Sequence, residues 1–120
     1  MSDNITNLLI IEEEPITRNQ LTAHFEKEGY RVYAQDTAEN TIKLNAYNDI
    51  EVCLVDIHLP AKDGLTLTRE LRTHSDVGII LVSGKGEQID RIVGLESGAD
   101  DYVTKPFDPR ELLSLVKNLL

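Results

Sequence analysis

The sequence has a single cysteine, Cys53, so no disulfide can form within the chain, which agrees with a reducing compartment. No apolar run is long enough to span a bilayer, and the opening MSDNITN lacks the basic and apolar regions of a signal peptide. A cytoplasmic location without membrane attachment is therefore expected. Basic residues are scarce, with 12 Lys and Arg against 21 Asp and Glu and a formal net charge of -9. Duplex DNA is gripped by a basic patch that displaces counterions from phosphates. The longest single-sign run here, Glu12-Glu13-Glu14, has the opposite sign, so this chain is not expected to contact DNA by itself. Internal repeats, low-complexity tracts and Gly/Ser/Pro linkers are also missing. At 41% hydrophobic and 28% charged, the 120 residues read as one soluble globular domain spanning 1–120.

What the sequence does have is alternation. Asn7 to Ile11, Val52 to Val55 and Gly78 to Val82 are short continuous apolar runs, the signature of strands buried on both faces of a parallel sheet. Tyr30 to Ala34 and Asp101 to Thr104 are shorter strand candidates. Between them lie helical stripes. Pro15 to Glu28 carries Leu21 and Phe25 and stops at Gly29. Thr37 can cap a helix reaching about Tyr47. Asp63 to Thr73 carries Leu67 and Leu71, and Glu87 to Ser97 carries Ile89, Ile92 and Val93 before Gly98. The last helix opens with Asp108 as N-cap, Pro109 at N1 and Glu111 placed to close a capping-box-like pair, with Leu112, Val116 and Leu119 on one face. A strand and a helix thus repeat five times. This predicts an α/β fold, a doubly wound (βα)5 five-stranded parallel sheet of the flavodoxin-like kind with helices on both faces. In such sheets chemistry sits at the carboxyl ends of the strands, near the topological switch point.

The residues that end each run are chemically loaded: Glu12 and Glu13 after the first strand, Asp56 after the third, Ser83 after the fourth, and Lys105-Pro106 after the fifth. Taken singly, each has a plain explanation. An acidic turn is solvated, an Asp after a strand is a turn or N-cap residue, Lys-Pro is a turn signal, and Ser83-Gly84 is a loop. Together they converge on one sheet edge. Neighbouring carboxylates repel unless a cation stands between them, and Mg²⁺ takes one or two carboxylates plus waters and phosphate. Asp56 can then act as a nucleophile toward phosphorus, with Lys105 as a mobile point charge and Ser83 as a hydrogen-bond donor to a phosphoryl oxygen.

This order of residues, with VDIHLPAKDG around Asp56 and GLESGADDYVTKPF around Lys105, resembles the receiver domain of response regulators from about Leu8 to Leu120. The resemblance implies that Asp56 accepts a phosphoryl group from a sensor histidine kinase, of the hybrid type. It implies a Mg²⁺ site made by Glu12, Glu13, Asp56 and the backbone carbonyl of His58, with Ser83 and Lys105 contacting phosphate. Tyr102 matches the aromatic switch residue, whose ring turns inward when Ser83 is drawn to the phosphate. GADDYVTKPF and PRELL are similar to the winged-helix transcription factors of the OmpR/PhoB type, and VGIILVSGKGEQIDRIVGLESGADDYVTKP to regulators of respiration within that class. Arg91, Asp100, Asp101, Glu111 and Lys117 are compatible with that class's phosphorylation-dependent homodimer through the fourth helix, fifth strand and fifth helix. A C-terminal DNA-binding effector domain is expected beyond Leu120.

Two positions depart from the pattern. Glu13 stands where the acidic pair usually ends in Asp, which predicts weakened metal affinity with phosphorylation retained. Leu115 stands where the class usually has Arg on the last helix, leaving Asp101 short of a partner across the dimer or simply widening the apolar stripe. His24, His58 and His74 have no ligand-like spacing and read as surface or structural, and Cys53 as a small core residue. Three rivals are weaker. A haloacid-dehalogenase-type phosphatase places its nucleophile on the first strand. A flavodoxin-like cofactor binder needs a phosphate-cradling loop where this chain has EEEPITR. A pseudo-receiver has only Glu13 in its favour. No enzymatic activity on external substrates is expected.

Overall fold

The computed structural model describes residues 5–60, 62–84 and 91–120, with only the backbone of 46 and 47. Among the described residues five strands and five helices alternate: β1 (Asn7–Ile11), α1 (Pro15–Lys27), β2 (Arg31–Gln35), α2 (Thr41–Asn48), β3 (Val52–Asp56), α3 (Gly64–His74), β4 (Gly78–Ser83), α4 (Arg91–Glu96), β5 (Asp101–Thr104) and α5 (Pro109–Asn118). All neighbouring strands are parallel, in the order β2-β1-β3-β4-β5. The expected fold class is the one found. Among the described residues no helix is long and apolar enough to cross a membrane.

The continuous apolar runs are the three central strands, buried on both faces by helices. Side chains alternate across a strand, and this splits the core in two. Leu8, Ile10, Val52, Leu54, Ile80 and Val103 pack on α1 and α5 through Leu21, Phe25, Leu112 and Val116. Leu9, Ile11, Cys53, Val55, Ile79, Leu81 and Tyr102 face α2, α3 and α4, where Leu67 and Leu71 close the layer. Cys53 is buried, and desolvation pushes its thiol up to about 12, so it is the core residue the sequence suggests. Leu115 packs against the α1/α5 core, which makes it part of the apolar stripe of α5.

Helix ends follow their capping chemistry with two exceptions. Glu14 caps α1 by accepting from the Thr17 amide at 2.7 Å, Asp63 caps α3 through Thr66, and Gly29 takes the left-handed φ of 93° after α1. Thr37, however, does not start α2. Its hydroxyl accepts from the Glu39 amide in a local turn, and α2 begins four residues later behind Asn40, at φ 63°. Asn tolerates that left-handed conformation, and nothing in the pattern of apolar residues marks it. Asp108 does cap α5, but its carboxylate accepts from the Arg110 amide and guanidinium in place of the expected N3 amide of Glu111. The expected start of the fourth helix, with Glu87 and Ile89, lies outside the described residues.

Candidate phosphoryl-acceptor site

The chain passes from β1 outward to β2 and then back across β1 to β3, so the switch point lies between the carboxyl ends of β1 and β3. Register decides what is delivered there. β1 pairs Ile10 with Leu54, and β3 pairs Leu54 with Ile80 and Asp56 with Val82. Two residues past Ile10 and Leu54, on the same α1/α5 face, come Glu12 and Asp56. Two past Val103 comes Lys105. Alternation alone therefore aims two carboxylates and an ammonium into one crevice.

Both carboxylates are buried, Glu12 at 3% and Asp56 at 5% exposure. The Lys105 Nζ lies 2.8 Å from Glu12 Oε1 and 3.8 Å from Asp56 Oδ2, so it pairs with both and sits closer to Glu12. Asp56 Oδ1 accepts from the His58 amide at 3.0 Å. Desolvation, then the Glu12 carboxyl within hydrogen-bonding reach, push the Asp56 carboxyl up to about 7, against the opposing pull of the His58 amide and Lys105. The cleft over these groups has a volume of about 400 Å³ and is lined by Glu12, Glu13, Glu14, Asp56, His58 and Lys105. Larger apolar clefts of about 650 Å³ lie between α2 and α3, and beneath α1 and the β5–α5 loop, where Lys105 is shared with the acidic site.

The three consecutive glutamates have three separate fates. Glu12 enters the site, Glu13 is exposed at its rim, and Glu14 is used as the cap of α1. The β3–α3 loop returns close to Asp56 because Gly64 permits it. A Cβ there would lie 2.4 Å from the Asp56 carbonyl oxygen, and the Gly64 amide donates to the Ile57 carbonyl at 2.8 Å. The Asp63-Gly64 pair at a helix start is the signal in the sequence that marks this close return. The Lys105–Pro106 peptide is cis.

Ser83 and Tyr102 belong to the other face. Ser83 is buried and its hydroxyl donates to the Gly84 carbonyl at a long 3.4 Å. The Tyr102 ring lies inward, 9% exposed, filling space that Gly94 leaves open: a Cβ at Gly94 would sit 2.9 Å from Tyr102 Cδ2. Of the residues assigned to a dimer face, Arg91 approaches Asp101 at 3.6 Å, so Asp101 has a partner within the chain, and Glu111 and Lys117 are exposed on α5. Asp100 is drawn elsewhere. Its carboxylate accepts from Arg72 of α3 at 2.6 Å and from the Ile79 amide at 2.8 Å.

The donor set suits a hard divalent cation. Two buried carboxylates share one ammonium, which leaves a negative charge to be met, and Mg²⁺ needs only one or two carboxylates, completing its shell with water and phosphate. Among the described residues no three acidic, histidine or cysteine side chains cluster into an all-protein metal cage, as a structural zinc site would require.

The family model for the response regulator receiver domain matches residues 8–117, nearly the whole chain. The chain is a response regulator receiver domain. Its relatives include the transcriptional regulatory protein AruR of Pseudomonas aeruginosa, 50% identical over 97% of this chain and 50% of the relative. The TorCAD operon regulator TorR of Escherichia coli is 49% identical over 95% of this chain and 50% of TorR, and the aerobic respiration control protein ArcA of the same species is 50% identical over 95% and 48%. The chain thus spans about half the length of the curated relatives it matches. The crystal structure of the TorR receiver domain superposes with a TM-score of 0.87 at 48% identity, covering 95% of each chain. A BeF3-activated receiver domain of Klebsiella pneumoniae RstA gives 0.87 at 28% identity, covering 94% of this chain and 97% of that one. As a receiver domain it belongs to the two-component systems, whose receivers are phosphorylated on aspartate, bind Mg²⁺ and work with a histidine kinase.

Proposed function

We propose that Asp56 accepts a phosphoryl group from the phosphohistidine of a sensor histidine kinase, and that this receiver switches a transcription-regulating output. The observation that carries the reading is the buried Glu12–Asp56 pair with Lys105 between its carboxylates, at the switch point of the sheet. An Asp56 carboxylate oxygen attacks phosphorus in line. The P–N bond breaks, the P–O bond forms, and the imidazole leaves with the electron pair. Glu12, Glu13, Asp56 and the His58 carbonyl would hold Mg²⁺, which supplies charge neutralisation at the transferred group. Glu13, exposed at the rim, either folds back to reach the ion or meets it through water, and so weakens affinity without ending phosphorylation. Lys105 releases Glu12 to meet the phosphoryl oxygens, and Ser83 donates its hydroxyl to them.

Drawing Ser83 toward Asp56 biases the Tyr102 ring and with it the face made by α4, β5 and α5. Arg91, Asp100, Asp101, Glu111 and Lys117 are the charged residues of the homodimer proposed there. The resemblance to TorR and ArcA points to a hybrid sensor kinase as donor and to a DNA-binding effector domain following Leu120. With its net charge of -9 the receiver makes no DNA contact itself. It works in the cytoplasm, off the membrane, and acts on its own aspartate, not on external substrates.

Intact-mass analysis after incubation with acetyl phosphate and Mg²⁺ tests this reading. One phosphoryl group is expected on the wild type, and none on Asp56→Asn or in the presence of a chelator. A wild type that stays unmodified beside a working control receiver would make this chain a pseudo-receiver.

A further inference from the structure

The β1–α1 loop holds a basic side chain with no role in the phosphoryl chemistry described above. Arg18, in the first turn of α1, sends Nη1 to the Glu12 carbonyl at 3.0 Å and to the Glu13 carbonyl at 3.1 Å. A planar trans peptide points its N–H opposite its C=O. With the Glu13 carbonyl drawn out toward Arg18, the Glu14 N–H is turned the other way, and it donates to Glu12 Oε2 at 3.0 Å. The second oxygen of that carboxylate, Oε1, takes Lys105 at 2.8 Å. Both oxygens of Glu12 are therefore fixed, one by a peptide plane that Arg18 sets and one by the lysine that must later move. Glu14 cannot stand in for it, because its carboxylate is occupied by the Thr17 amide and hydroxyl at 2.7 and 3.0 Å, and Glu13 stands farther out, exposed at the rim.

We infer that Arg18 is a positioning residue for phosphoryl acceptance: by fixing the Glu13–Glu14 peptide plane it aims the Glu12 carboxylate at the divalent cation and the acceptor. This rests on the reading of Asp56 as the acceptor. Arg18 works through the backbone of the loop. A charged donor on two adjacent carbonyls holds the loop where neutral contacts would let it rotate, since charge-assisted hydrogen bonds are roughly twice as strong as neutral ones. Groups that orient metal ligands from behind typically change metal affinity by about 10- to 100-fold when removed.

The variant to make is Arg18→Met, which keeps the alkyl stem and removes the donors. Mg²⁺ binding followed by isothermal titration calorimetry is expected to weaken about tenfold, at the low end of that range because Glu12 retains Lys105. Phosphorylation from acetyl phosphate is expected to slow at low Mg²⁺ and to recover at saturating Mg²⁺, while thermal melting stays near wild type. Arg18→Lys, which keeps a charged donor, is expected to restore much of the affinity. A folded Arg18→Met with wild-type Mg²⁺ affinity would overturn the inference. Should that variant fail to fold, hydrogen exchange at the Glu14 amide of the wild type decides: protection supports the fixed peptide plane, and exchange at the unprotected rate removes it. The acceptor reading fails separately, if the wild type takes no phosphoryl group or if Asp56→Asn still takes one.

Discussion

On the α1/α5 face of the sheet, the buried rows that run through Leu8 and Ile10, Val52 and Leu54, and Val103 continue into Glu12, Asp56 and Lys105. On the α2/α3/α4 face, the rows through Ile79 and Leu81 continue into Ser83, and the last inward position of β5 is the Tyr102 ring against Gly94. The two sets lie at one edge, separated by a single step of strand alternation. One face ends in charge, where a phosphoryl group and a cation can be met. The other ends in a hydroxyl and an aromatic ring, the two groups of the proposed switch. Because a slip of one residue would exchange the faces, register is what keeps the charged set and the proposed switch residues apart yet adjacent.

The sharpest way to break this comparison is to neutralise the charged face. Asp56→Asn is expected to abolish phosphorylation and also to stabilise the fold. Asp56 has a folded-state pKa of about 7, above the ordinary 3.8. Its contribution is therefore fully present below about pH 3.8 and is lost as pH rises through about 7. Across that window the wild type should lose stability that Asp56→Asn does not lose. At about 1.36 kcal/mol per pKa unit, the difference at pH 8 has an upper bound of about 4 kcal/mol. Thermal melts of both proteins without Mg²⁺, from pH 4.5 to 8, check it. Parallel curves would mean that Asp56 is not desolvated by its neighbours.

How much of this separation was readable beforehand depends on which interactions are local. The runs at β1, β3 and β4 announce themselves, because strands covered on both sides admit almost no polar residues. Asp56, Ser83 and Lys105 stand at the run ends for the same reason. The fates of Glu12, Glu13 and Glu14 are not legible, since three identical side chains are sorted only by which one α1 consumes as its cap and which one the sheet buries. Arg18 is invisible as a positioning group until the peptide planes are known. Asp100 reads like its neighbour Asp101, but a contact to Arg72, 28 residues away, turns it toward α3. The α2 start lies four residues beyond Thr37 because Thr37 finds its own turn, and an Asn in left-handed conformation leaves no periodic trace.

The readout face can be tested without touching the charges. Gly94→Ala puts a Cβ 2.9 Å from Tyr102 Cδ2 and 3.4 Å from Leu81 Cδ1, inside the space the ring fills. Alanine's helix propensity favours the substitution by about 1 kcal/mol, and overpacking opposes it by about 1–3 kcal/mol. A net loss of about 1 kcal/mol is expected, with the ring displaced, and the loss should vanish in a Tyr102→Ala background. Denaturant unfolding of the four proteins in that cycle measures the coupling. Phosphorylation of Asp56 should proceed at the wild-type rate in Gly94→Ala. A collapse of that rate would mean that the two faces are not separable.

The smallest effect is expected at the rim. Arg91 and Asp101 approach at 3.6 Å with side chains 63% and 28% exposed, and Asp101 also accepts from the Tyr102 amide at 2.8 Å. An exposed pair of this kind contributes about 0.2–1 kcal/mol, so Arg91→Ala should shift the unfolding midpoint of the monomer little or not at all. The same weakness is what a phosphorylation-dependent dimer needs, since an arginine held cheaply within one chain can be surrendered to an acid such as Glu111 on a second. Sedimentation velocity with beryllofluoride and Mg²⁺ should then show self-association in the wild type and less of it in Arg91→Ala. If Arg91→Ala instead unfolds the monomer at markedly lower denaturant, the pair is part of the fold, and Arg91 is not available to a partner.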